Sequence, residues 1–247
     1  MTTDKSELRI LPDQEAVATA AAELFLAVAR QSVADHGRFT VALSGGSTPA
    51  LLFGLLASPP YSESVPWEKT HVFWSDERWV PRDDPESNSG LARRLLLDHV
   101  PVPPDQVHYV TTTGMTPDDS TAEYGRMLRD FYDGGEPRLD LVLLGMGDDG
   151  HTASLFPRTE ALNETHHRVF ANYVPALNTW RITFTYRTIN AAHHVCFMVV
   201  GPEKRAALRH IFAARAGENP VPAALVNPTD GQLLWLVDEA AARDIKQ

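Results

Sequence analysis

The chain has one cysteine, no run of basic residues, no apolar stretch as long as a membrane span and no tandem or low-complexity segment in its 247 residues. Each absence excludes something. A lone Cys196 forms no internal disulfide, and its place in Val195-Cys196-Phe197-Met198-Val199-Val200 reads as a core thiol in the reducing cytoplasm. In that setting the Asn163-Glu164-Thr165 glycosylation pattern carries no meaning. No segment nears the roughly 18 apolar residues of a membrane span, and Met1 to Glu7 lack a signal-like apolar stretch, so no membrane partner is expected. A formal charge of −10 without a Lys/Arg cluster argues against a nucleic-acid partner, because phosphate backbones demand a basic surface. An anionic small molecule is compatible, provided a few cations are focused locally against the overall field. There is no His-Glu-x-x-His motif and no cysteine cluster, and the histidine pairs His166-His167 and His193-His194 have adjacent members that point to opposite faces of a strand. No metal or other cofactor is expected.

What is present has the balance of a globular protein: 43% apolar and 22% charged residues, enough for a substantial core, expected as one domain over 1–247. Residues 12–35 read as an amphipathic helix opened by Pro12 and ended by Gly37. Phe39 to Leu43 reads as a strand, followed by a glycine turn and a helix with Thr48 as N-cap and Pro49 at its first position, running to about Ala57. The same grammar recurs. A strand over 71–74 leads to a helix from Asp84-Pro85 to about His99, and a helix over 121–132 precedes a strand over 139–145. Further strands are expected over 181–186, 193–200 and 233–237, with a helix from Glu203 to Ala214. Strands alternating with helices predict an α/β fold, a three-layer Rossmann-like arrangement with a mainly parallel sheet and helices on both faces.

Four strand ends carry candidate chemistry. Ser44-Gly45-Gly46-Ser47-Thr48-Pro49 combines glycines, hydroxyls and a helix start, which suits a phosphate, although an ordinary tight turn uses the same residues. It lacks the spacing of a nucleotide P-loop or a dinucleotide fingerprint, and Ser44 sits too early in the chain for the nucleophile elbow of serine esterases. Ser75-Asp76-Glu77-Arg78 follows an apolar strand, so its charges must pair, either with neighbouring loops or with a ligand. In Asp149-Gly150-His151, a histidine at a helix start would be kept uncharged by the helix dipole, the form a general base needs, with Asp149 orienting the ring or a water. In Gly201-Pro202-Glu203-Lys204, Lys204 stands in a first helical turn, where a cation is misplaced unless an anion or Glu203 offsets it. Arg181 heads a strand and is a weaker cation candidate. Parallel strands would bring these ends to one crevice.

These motifs resemble those of the 6-phosphogluconolactonase family, relatives of the glucosamine-6-phosphate deaminases, over nearly the whole chain. The phosphate loop Ser44 to Pro49, the strand-end signature Trp74 to Val80, the Ser87-Asn88-Ser89-Gly90 element, the run Gly147 to Pro157, Arg181-Ile182-Thr183 and Gly201 to Lys204 fall in the family's order. Two places depart from it: Ala176 to Trp180 replaces a proline-rich stretch, and Arg158 stands where Gly is frequent. The deaminase relatives carry a tyrosine at the place of Arg78 and a glutamate in place of the apolar Leu155-Phe156 segment, and both differences favour the lactonase side. The resemblance implies a sugar-phosphate isomerase/CoA-transferase-like fold and hydrolysis of 6-phospho-D-glucono-1,5-lactone. It implies His151 as general base, with Asp149, Arg78 and Asp76 also catalytic, and Ser44, Gly45, Gly46, Ser47, Thr48, Asn88, Arg181 and Lys204 binding substrate or its phosphate. The expected partner is the small lactone alone, on a monomer or weak homo-oligomer. A deaminase-like isomerase and a sugar-phosphate-binding module without turnover are the other readings.

Overall fold

Strands apolar on both faces are stable only inside a sheet covered on both sides, and the central strands of this chain are of that kind. The computed structural model describes residues 6–212 and 220–245. Its strands are β1 (Ser6–Leu11), β2 (Phe39–Leu43), β3 (Thr70–Trp74), β4 (Asp76–Arg78), β5 (Leu141–Leu144), β6 (Val169–Val174), β7 (Thr179–Phe184), β8 (His194–Val199) and β9 (Gln232–Asp238). Six of them form a parallel sheet in the order β1-β9-β8-β5-β2-β3. Every residue of β2 and β5 is buried. Helices α1 (Gln14–His36), α2 (Ser47–Leu56), α3 (Tyr61–Ser64), α4 (Asn88–Leu95), α5 (Pro117–Phe131), α6 (Tyr186–Ala191), α7 (Arg205–Phe212) and α8 (Glu239–Ala242) accompany the strands, with short 3₁₀ turns between them, and one continuous apolar core joins helices and sheet.

Chain order reverses between β2 and β5. From β2 the chain proceeds outward to β3, whereas from β5 it proceeds through β8 to β9 on the other side. Such a switch point opens a crevice at the carboxyl ends of the strands, where α/β proteins bind ligands.

Several expectations are corrected. The first helix is capped by the Asp13 carboxylate, not opened by Pro12, and Gly37 ends it at φ +83, donating its N–H to Val33. Gly46, not Thr48, precedes α2, so Ser47 opens the helix and Pro49 falls inside its first turn, where a missing N–H costs nothing. The expected helix from Asp84 shrinks to α4, capped by Ser87, and the helix over 121–132 begins earlier, at Pro117 behind the Thr116 cap. A 3₁₀ turn over Pro202–Lys204 precedes α7, and the last two residues of the helix expected there lie outside the described residues.

The largest correction concerns 181–186: β7 is antiparallel, in a separate sheet of order β4-β7-β6 that also contains the unforeseen β6. The edge strand β1 was also unforeseen. Helix α1 does reach the length and hydropathy of a membrane-crossing helix, because alanine counts as apolar. Its face formed by Val17, Ala21, Phe25, Val28 and others is, however, buried in the core. Cys196 is buried as expected, and burial pushes its thiol up to about 12.

Candidate active site

Loops after β2, β3, β5 and β8 meet over the β2/β5 switch point and enclose a cavity of about 260 Å³ lined by Ser44 to Pro49, Asp76, Arg78, Gly147, His151, Glu203 and Lys204. Four separate strand ends thus converge.

One half of the crevice is built for an anion. Gly46 has φ +113, a conformation that admits the turn into α2. No side chain caps that helix, so the N–H groups of Ser47 and Thr48 are left to a ligand. Ser44 is buried beside them and its Oγ has no hydrogen-bond partner. Ser44 is not in the left-handed conformation, which also removes the nucleophile-elbow reading. Opposite stands Lys204, its side chain 20% exposed and its Nζ 3.9 Å from Glu203 Oε1, too far for a strong pair. Its loop is held by Asp238, a buried carboxylate that accepts from Gly201 N at 3.1 Å and Ala241 N at 2.8 Å. Sequence reading missed Asp238 because its partner lies 37 positions away.

The other half presents a base. Asp149 Oδ1 accepts from His151 N at 3.0 Å and faces His151 Nδ1 at 2.6 Å. An ionised carboxylate there holds the ring proton on Nδ1 and leaves Nε2 as a lone pair. The imidazole stacks on Phe156 at a centroid distance of 3.9 Å. A Cβ at Gly147 would overlap the His151 ring, so only glycine fits beneath it. No helix follows His151: Ala153 takes φ +45 and the segment runs as turns to Pro157, so the expected dipole effect is absent and the ring is oriented by Asp149 and by its stack on Phe156. The loop is fastened by Gly147 N to His151 O (2.9 Å), Thr152 Oγ1 to Gly145 O (2.9 Å) and Asn172 Nδ2 to Ser154 O (2.8 Å).

Arg78 lines both this crevice and an adjoining cavity that also contains Asp149, His151 and Arg181. It donates to Glu86 O at 2.6 Å. Arg181 faces Arg78 across the β4/β7 register, and burial, then the Arg78 charge, push it below its ordinary value. It therefore belongs to the histidine half, not beside Lys204. Asp76 is buried, accepts from Ser154 Oγ at 2.6 Å and from Asn88 Nδ2 at 3.2 Å, and so acts as a bracket between loops.

Asn88 does not line the crevice. It donates to Asp76 O at 2.9 Å and packs where a Cβ on Gly45 would stand, supporting the phosphate loop from behind. Glu77, unassigned from the sequence, is buried and accepts from the backbone of Asn88 and Ser89, each at 2.8 Å, which starts α4.

Comparison with known proteins gives one picture. The family described as glucosamine-6-phosphate isomerases/6-phosphogluconolactonase matches residues 12–235. A 6-phosphogluconolactonase of Nostoc sp. is 43% identical over 244 residues, 98% of this chain and 99% of that protein. One of Synechocystis sp. is 41% identical over 219 residues, 87% of this chain and 88% of that protein. The solved 6-phosphogluconolactonase of Trypanosoma cruzi superposes with a TM-score of 0.86 at 30% identity, covering 98% of this chain and 97% of that one.

Proposed function

The chain belongs to the glucosamine-6-phosphate isomerase/6-phosphogluconolactonase family, and from that premise we propose that it hydrolyses 6-phospho-D-glucono-1,5-lactone to 6-phosphogluconate. The reaction is a step of the oxidative pentose phosphate pathway, carried out in the cytoplasm by a monomer or weak homo-oligomer. One observation carries the reading: an uncapped helix start with Lys204 and an Asp149-oriented His151 face the same crevice from different strand ends.

The phosphate sits on the N–H groups of Ser47 and Thr48, the Ser44 hydroxyl and the Lys204 ammonium. Binding at that remote group holds the ring for attack. His151 Nε2 takes a proton from a water whose oxygen bonds to the lactone carbonyl carbon. Negative charge develops on the carbonyl oxygen, and the Arg78 guanidinium, with Arg181 behind it, stabilises it. When the intermediate collapses, the bond from this carbon to the ring oxygen breaks. The imidazolium returns its proton to that oxygen, leaving a hydroxyl and a carboxylic acid, which releases its proton to solvent at neutral pH to become the carboxylate. A lactone is an activated ester, so no covalent enzyme intermediate is needed.

His151→Ala tests this. Turnover of freshly generated lactone, corrected for spontaneous opening, should fall to near background while 6-phosphogluconate still binds, and unchanged turnover would remove the histidine from the reaction. Ammonia release from glucosamine 6-phosphate by the unaltered protein would instead support the deaminase reading.

A further inference from the structure

At the opposite end of the same strands, beside Thr40 at the start of β2 and Asp140 just before β5, lies a second cavity of about 280 Å³. Asp140 at its base is a buried carboxylate with its acceptors in use. Its Oδ2 takes Thr40 N at 2.8 Å and Thr40 Oγ1 at 2.7 Å, and its Oδ1 meets His36 Nε2 at 2.9 Å. The Tyr132 hydroxyl is also spent, donating to Thr40 Oγ1 at 3.2 Å.

What remains around the cavity includes two donor-only guanidiniums. Arg38 lies over the rings of Phe131 and Tyr132, at 4.5 and 5.6 Å to their centroids, and has no ion-pair partner among the described residues. The Nε of Arg138 is buried without an acceptor, and that side chain too has no carboxylate partner among the described residues. His193 also lines the cavity, and burial, then the Arg138 charge, push it below its ordinary value. In a chain of net charge −10, two unpaired guanidiniums sharing one cavity are a local reversal of sign.

We propose that this cavity is a second anion site, distinct from the catalytic crevice, and that its ligand is a small phosphorylated metabolite bound through its phosphoryl oxygens. Two guanidinium forks and an imidazole reach the cavity from three chain segments. They offer more N–H groups than the two oxygens of one planar carboxylate accept, whereas a terminal phosphoryl group has three oxygens spread over a tetrahedron. A simple lysine-like charge would not supply this geometry. The aromatic support under Arg38 holds its guanidinium in place before any ligand arrives.

Calorimetric titration of inorganic phosphate, with citrate as the comparison anion, separates the two sites when made on Lys204→Ala protein, in which the crevice is weakened. Phosphate should still saturate one equivalent. Adding Arg138→Ala, or separately Arg38→Gln, should weaken that binding about tenfold or more. Arg138→Lys, which keeps charge without the fork, should weaken it measurably but less than alanine. Circular dichroism and the melting midpoint verify folding, and either arginine serves if the other variant fails to fold. Absence of saturable binding in the Lys204→Ala protein would overturn the proposal. So would binding indifferent to both arginines, or saturation by citrate but not phosphate.

Discussion

Replacing Asp149 with Asn isolates the one charge that touches the proposed base. The amide keeps the size of the side chain and can still accept from His151 N, but it removes the negative charge 2.6 Å from Nδ1. That charge matters most when Nε2 has taken the water proton and the ring is cationic. With charge centres roughly 4 Å apart and an effective dielectric near 20, the attraction is about 4 kcal/mol. The Asp149 side chain is 44% exposed, so solvent screening reduces this to about 2 kcal/mol. At about 1.4 kcal/mol per decade, kcat should fall about 30-fold, and about 1,000-fold at most if screening is weaker than this. KM should stay nearly constant, because the phosphate anchor is untouched. The assay follows 6-phosphogluconate with an excess of a dehydrogenase that oxidises it, after subtraction of spontaneous ring opening. A fall in kcat below about threefold, or a loss confined to KM, would refute the orienting role of Asp149.

Lys204→Ala should raise KM for the phosphorylated lactone by about tenfold or more while leaving unphosphorylated gluconolactone nearly unaffected, since only one of them carries the anion; steady-state kinetics on both lactones decide it. Arg158 is exposed and holds φ +63, so Arg158→Gly should stabilise the fold by about 0.5–1 kcal/mol in urea denaturation without changing turnover. His108 packs on Phe73 and is pushed down to about 4 by burial, from an ordinary value near 6.5. Its folded form resists protonation, so the stability it contributes is complete above pH 6.5 and is lost as pH falls towards 4. Discounted for its partial exposure, that loss is about 1–2 kcal/mol, and His108→Phe should remove it from a plot of unfolding free energy against pH.

The parts of the fold legible in the sequence are those written in local pattern. β2, β5 and β8 are apolar runs, and nothing but a covered parallel sheet suits them. β6 was not legible because Asn172 and Tyr173 interrupt its apolar pattern, the first buried for its bonds to Ser154 and Thr159, the second half-exposed. The start of α4 is set by the local Ser87 cap together with the Glu77 carboxylate, 11 and 12 residues earlier, and only the first of these is written in local sequence. The same division runs through the site. The glycine loop, the Asp149–His151 pair and Lys204 stand in short motifs whose chemistry is readable residue by residue. Asn88 supports the phosphate loop from behind, Asp76 lines the crevice while bracketing Ser154 and Asn88, and Asp238 supports the Lys204 loop from a distant strand. Strand topology decides which side of a loop a residue occupies, and the arrangement of Arg181 beside Arg78 follows only from the antiparallel β4/β7 pairing.

A crystal structure with 6-phosphogluconate bound tests the arrangement most directly. The phosphate should lie on the N–H groups of Ser47 and Thr48 with Lys204 against it, and the new carboxylate should stand within hydrogen-bond reach of His151 Nε2 and Arg78. A phosphate lodged away from α2, or a carboxylate that meets neither His151 nor Arg78, would contradict the account.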